Sequence, residues 1–250
     1  TDCVLSREEI SVLVDKERIW NVTDSDIEEH GIQAIINCTA AADTILLRTT
    51  KTIRPTSRVV ISWRLKIDGV GVDSSNSMND LRASLTCPLN NGLFLIRYTT
   101  AYRTTADYLF LLSGDGVTFK NVIFEGCELS EGDGVVSIIE TEACARHAPR
   151  RKIRFHRVDI RGNRNLGGSV GIVIEDPSCY RVIMRDVLFR SNHYSARSRF
   201  SSSNRLKEVR LIRNRLSGPP KDEALIYVPS ESNTSIRGLS AADNKGTVIQ

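Results

Sequence analysis

The side chains best placed to do chemistry in this 250-residue chain are cations. The run ACARHAPRRKIRFH (143 to 156) gathers His147, Arg150, Arg151 and His156. An imidazole among cations is held toward its neutral form, which suits a general base. His147, Arg150 and His156 are therefore the candidates for catalysis, although a run of this kind is more often a solvated loop. The cations continue downstream. From Arg150 to Arg215 there are 15 Arg and 2 Lys against Asp159, Glu175, Asp176, Asp186 and Glu208, a local net of +12. The whole chain is only +4, so the remainder carries −8. Charge this polarised marks a surface for an anionic partner.

The elements that must carry these cations repeat. Five segments superimpose without gaps: VTFKNVIFEGC (117 to 127), IRFHRVDIRGN (153 to 163), VIMRDVLFRSN (182 to 192), NRLKEVRLIRN (204 to 214) and TSIRGLSAADN (234 to 244). The third, sixth and eighth columns are apolar. A helix would not alternate in this way and one straight strand would not shift phase, so the pattern predicts two short strands joined by a bend. A third strand follows each copy after a variable turn: VVSIIE (135 to 140), SVGIVIE (169 to 175), SRFSSS (198 to 203) and ALIYV (224 to 228). The copies begin 36, 29, 22 and 30 residues apart. This predicts an all-β fold, a parallel β-helix with three short strands per coil and loops of unequal length. The eleventh column reads Asn163, Asn192, Asn214 and Asn244 after Cys127. Stacked amides can hydrogen-bond along the axis as a ladder.

The expected strands upstream are DTILL (43 to 47), RVVISWRLKIDG (58 to 69), LFLIRYTT (93 to 100) and YLFLLSG (108 to 114), with a protruding loop over 70 to 92. SDIEEHGIQAIINC (25 to 38) predicts one helix, with capping and acidic residues in its first turn and Ile27, Ile35 and Ile36 on an apolar face. Residues 1 to 42 then form an N-terminal strand and capping helix, and 43 to 250 the coils of the same domain. Thr1 reads as the start of a mature or trimmed product.

Outward template positions carry Arg154, Arg157, Arg161, Arg185, Arg190, Lys207, Arg210 and Arg213. Equivalent positions of stacked coils lie about 4.8 Å apart, so these eight are expected to form one or two basic faces that bind a ligand. The partner expected is an acidic polysaccharide or an acidic protein surface. Nucleic acid is disfavoured because aromatics able to stack on bases are sparse in the basic region. No apolar run approaches the roughly 20 residues of a membrane-spanning helix.

Cys3, Cys38, Cys87, Cys127, Cys144 and Cys179 show no CxxC spacing and predict extracellular disulfides, with Cys144 to Cys179 one conceivable pair. Sequons at Asn21, Asn37 and Asn233 fit a secreted glycoprotein. No metal or other cofactor is expected.

On the repeated columns and the amide column, residues 25 to 250 resemble the right-handed parallel β-helix proteins of the pectin-lyase-like superfamily. That resemblance implies the helix as a cap over the open end of the coil, where bare strand edges invite association. It also implies acidic polysaccharides as substrates where the family is enzymatic. The chain has no Asp-Asp pair, Gly-His-Gly or Asp-Pro-His-Asp, and Asp159 and Asp186 occupy different columns. The expectation is therefore an extracellular or cell-surface, non-enzymatic structural or adhesin-like module of a surface, wall or filament assembly, with end-to-end or lateral self-association open to it. The alternative is a diverged polysaccharide lyase or epimerase.

Overall fold

The computed structural model describes residues 3, 10–14, 17–49, 51–55, 59–69, 82–86, 110–112, 116–126, 128–129, 139–141, 151–169, 172–174, 180–196, 198–199, 205–216, 224–227, 234–245 and 247–249. The chain is mostly strand, and its largest sheet, of 13 strands, is curled. Every pairing among the described strands is parallel except that of Ile10–Val14 with Glu17–Thr23. A second sheet stacks Val59–Ile61, Phe110–Leu112, Ile139–Thr141, Ile172–Ile174, Ser198–Arg199, Ala224–Tyr227 and Thr247–Ile249 in chain order. A third stacks Glu128–Leu129, Arg164–Ser169, His193–Ala196 and Arg215–Leu216.

The register of the large sheet follows the eleven-residue template. In the third column Phe119 pairs with Phe155, Phe155 with Met184, Met184 with Leu206, and Leu206 with Ile236. In the eighth, Phe124, Ile160, Phe189, Leu211 and Ala241 pair in the same succession. The first four residues of each column are buried in one apolar core, with Val122, Val158, Val187 and Val209 of the sixth. Phe155 stacks on Phe119 with ring centroids 5.7 Å apart.

Two residues per repeat are left-handed, and the first of them makes the phase shift between the third and sixth columns. The fifth column, Asn121, Arg157, Asp186, Glu208 and Gly238, has φ between 51° and 66°. The tenth, Gly126, Gly162, Ser191, Arg213 and Asp243, has φ between 53° and 67°. A single left-handed residue turns the strand so that the sixth and eighth side chains point inward again, and Gly, Asn and Asp tolerate it best. At Gly69, beside Asn121, a Cβ would sit 2.4 Å from the Asn121 carbonyl oxygen, so the close approach requires glycine.

After the tenth column, the amides stack. Asn163 Nδ2 donates to Asn192 Oδ1 at 3.0 Å, Asn192 Nδ2 to Asn214 Oδ1 at 2.9 Å, and Asn214 Nδ2 to Asn244 Oδ1 at 3.0 Å. Each Nδ2 also donates to an eighth-column carbonyl one repeat back, those of Phe124, Ile160, Phe189 and Leu211. Each Oδ1 also accepts the backbone N–H of the preceding Asn, at 2.9 to 3.2 Å. The core bend thus has its polar groups satisfied without water.

Three upstream expectations change. The helix is two helices, Asp24–His30 and Ile32–Cys38, because Gly31 at φ 75° breaks it. Ile32 joins Ile35 and Ile36 in the core, while Ile27 is only partly buried. RVVISWRLKIDG divides into Val59–Ile61 and Lys66–Asp68, which belong to different sheets. The expected loop contains Ala83–Leu85, whose buried Ala83 and Leu85 pair with Val122 and Phe124. LFLIRYTT lies outside the described residues.

The second helix lies against the edge of the seven-stranded sheet. Gln33 Oε1 accepts the Val60 N–H and Gln33 Nε2 donates to the Val60 carbonyl, which occupies both backbone groups that an added strand would take. Cys38 at the end of this helix is bonded to Cys3, with Cα atoms 5.0 Å apart. Cys87, Cys127, Cys144 and Cys179 lie outside the described residues. Among the described residues no helix is long and apolar enough to cross a membrane.

Candidate functional site

Because strand side chains alternate, the second and fourth columns share the outer face of the first strand of each repeat. In register along the sheet, the second column reads Lys66, Thr118, Arg154, Ile183, Arg205 and Ser235. The fourth reads Asp68, Lys120, His156, Arg185, Lys207 and Arg237. Seven cations and a histidine thus face outward against one column carboxylate, Asp68. That carboxylate is buried and takes Lys120 at 3.0 Å, Lys66 at 3.1 Å and Asn121 Nδ2 at 2.7 Å. Burial opposes its ionisation, but these three donors outweigh burial and hold its pKa below the usual carboxylate value. Further along, Arg185, Arg205, Lys207 and Arg237 are exposed, and Lys207 meets the bend residue Glu208 at 3.1 Å.

The outer face of the second strand is different. There Arg161 Nε meets Glu125 at 2.5 Å, and Arg190 Nη2 meets the buried Asp159 at 2.8 Å. Burial raises the Asp159 pKa, and Arg190 only partly offsets it. Burial also opposes the ionisation of Glu125, but the hydrogen bonds from Arg161 and Ser84 win and lower its pKa. The open groove formed by Glu125, Arg161, Arg190 and the tenth-column residues Gly126, Gly162 and Ser191 is therefore lined by cations that already have carboxylate partners.

The eight predicted cations are thus not one set. Arg154, Arg185 and Lys207 lie on the first-strand face, Arg161, Arg190 and Arg210 on the second, and Arg157 and Arg213 at the two bends. Arg210 lies 3.4 Å from Asp186 and Arg213 3.7 Å from Asp243. Lys120, Arg205 and Arg237 belong to the first-strand face and were not among the eight. Their signal was their column: each occupies template position two or four.

Of the three catalytic candidates, His156 sits in the fourth column between Lys120 and Arg185, while His147 and Arg150 lie outside the described residues. Burial lowers the His156 pKa, and the charges of Arg185, Lys120 and Arg157 lower it further against a small opposing pull from Asp186. Of the sequons, Asn37 is exposed on the second helix and accepts a hydrogen bond from Gln33 at 2.9 Å. Asn21 lies within a strand and accepts from Arg48 at 3.1 Å. Asn233 lies outside the described residues.

Compared with protein-family models, curated proteins and solved structures, the chain matches none.

Proposed function

We propose that this chain is an extracellular, non-enzymatic β-helix module, structural or adhesin-like, that holds an acidic polysaccharide or an acidic neighbouring surface along its second- and fourth-column face. The observation that carries this reading is the in-register row of seven cations, in which Lys66 and Lys120 share Asp68 and Lys207 meets the bend residue Glu208, while Arg185, Arg205 and Arg237 stand exposed. Like charges about 4.8 Å apart repel one another. An anionic polymer laid along the row would relieve that repulsion in every repeat it crosses.

On the same reading the three sheets are the faces of a right-handed solenoid of the pectin-lyase-like kind. Its coils run from residue 43 onward, and the N-terminal strands and helices close one end. The chain-order stacking of the seven-stranded sheet and the Gln33 bonds at its edge support this. The Cys3–Cys38 bond supports an oxidising compartment.

Binding to immobilised dextran sulfate, a polymer whose charge is constant across neutral pH, tests the function. Affinity should fall by roughly tenfold or more between about 50 and about 200 mM salt, as counterion release requires when several cations are engaged. Binding that ignores salt, or no binding at low salt, would overturn the proposal.

A further inference from the structure

One fourth-column residue differs in kind from its neighbours. Its neighbours in the column, Lys120, Arg185, Lys207 and Arg237, are ammonium or guanidinium side chains, whereas His156 carries an imidazole, the side chain type that gains and loses its charge near neutral pH. His156 pairs in register with Lys120 on one side and Arg185 on the other. Arg154 precedes it by two residues on the same outward face, and Arg157 follows it at the bend. The opposing charge near it is Asp186, at the bend of the next repeat, which lies 3.4 Å from Arg210. Lys120 Nζ lies 3.0 Å from Asp68, which holds it in the row.

We infer that His156 is the proton-coupled centre of an anion seat formed with Lys120, Arg154 and Arg185, so that the protein takes up a proton on this imidazole as an acidic polymer binds. This rests on the basic-face reading above and adds its regulation. In the free protein, partial burial and three guanidinium or ammonium neighbours disfavour the imidazolium. A sulfate or carboxylate group lying over the row reverses the sign of the local field and restores the charged form. Protonation and binding then strengthen one another by the same factor, since linkage is reciprocal. For one proton the gain is bounded at about tenfold per pH unit. The same group gives the free protein an opposite trend. Its folded pKa lies below the unfolded value, so the stability it contributes is complete above the unfolded value and is lost as pH falls.

Dextran sulfate binding at constant ionic strength, at about pH 8 and about pH 5.5, is the test, because the sulfate esters stay ionised throughout. Wild-type affinity should rise about five- to tenfold on acidification, within the one-proton bound. H156Q should bind at the wild-type pH 8 level at both values. H156K should bind tightly at both, and H193Q, altered in the four-stranded sheet, should keep the wild-type slope. Thermal melts of each variant at pH 8 show which are folded, and H156K keeps the test alive if H156Q is not. Salt-sensitive binding that is flat with pH, or a slope that survives H156Q, sinks this inference and leaves the basic face standing. Absence of binding at both pH values sinks both.

Discussion

Replacing Asn192 by Ala should lower the unfolding free energy by about 3 kcal/mol and the melting temperature by about 6 to 12 °C for a chain of this size. The Asn192 side chain accepts the N–H and Nδ2 of Asn163 and donates to Asn214 Oδ1 and the Ile160 carbonyl, while remaining 1% exposed. Truncation strands the Ile160 carbonyl and the Asn163 N–H inside the core, each at about 1 to 3 kcal/mol. Asn244, at the last of the four stacked positions, is less buried, and N244A should cost less than half as much. Differential scanning calorimetry of the two variants decides it. Equal and small shifts would show that the ladder follows from the fold without supporting it.

F155A is the second large effect, at about 4 kcal/mol. Phe155 is 1% exposed in the third column, in register with Phe119 and Met184, and the Phe119 ring that it stacks on also meets Phe124 edge-on at 5.5 Å. Removing the ring opens a cavity between two neighbouring strands that the sheet hydrogen bonds hold in place, so the space cannot collapse. F155L preserves most of the volume and should cost under about 1.5 kcal/mol. Urea midpoints measured for both report the difference, and a loss as large in F155L as in F155A would contradict a packed column.

The apolar columns were legible because each is spelled in one residue class: Val122, Val158, Val187 and Val209 name the sixth column by composition alone. The bends were visible as a phase shift, but their residues were not, since Arg157, Glu208 and Arg213 carry no left-handed signal of their own. Their φ is set by the strands on either side. The strands Glu128–Leu129 and Arg215–Leu216 are two residues long, too short for any period, and exist by pairing with longer neighbours. Ala83–Leu85 was hidden for the same reason. The basic region was legible as charge, but grouping Arg154 with Arg161 and Arg190 passed over which cations already have carboxylates. Glu125 and Asp159 take the latter two, a fact of register between repeats that the sequence shows only once the columns are read outward as well as inward.

The proposed anion site depends on where its cations stand and not on the total charge. Dextran sulfate affinity at about 50 mM salt, compared between two variants with the same charge change, measures this. R154Q/R185Q/R205Q removes three of the seven cations of the first-strand face. R210Q/R213Q/R215Q removes three exposed cations from elsewhere. With about 1 kcal/mol for each contact near 4 Å, the first should bind about 100-fold more weakly than wild type, and the second within about threefold, as expected of charges that only tune the distant field. Equal losses in the two variants, or a larger loss in the second, would contradict it.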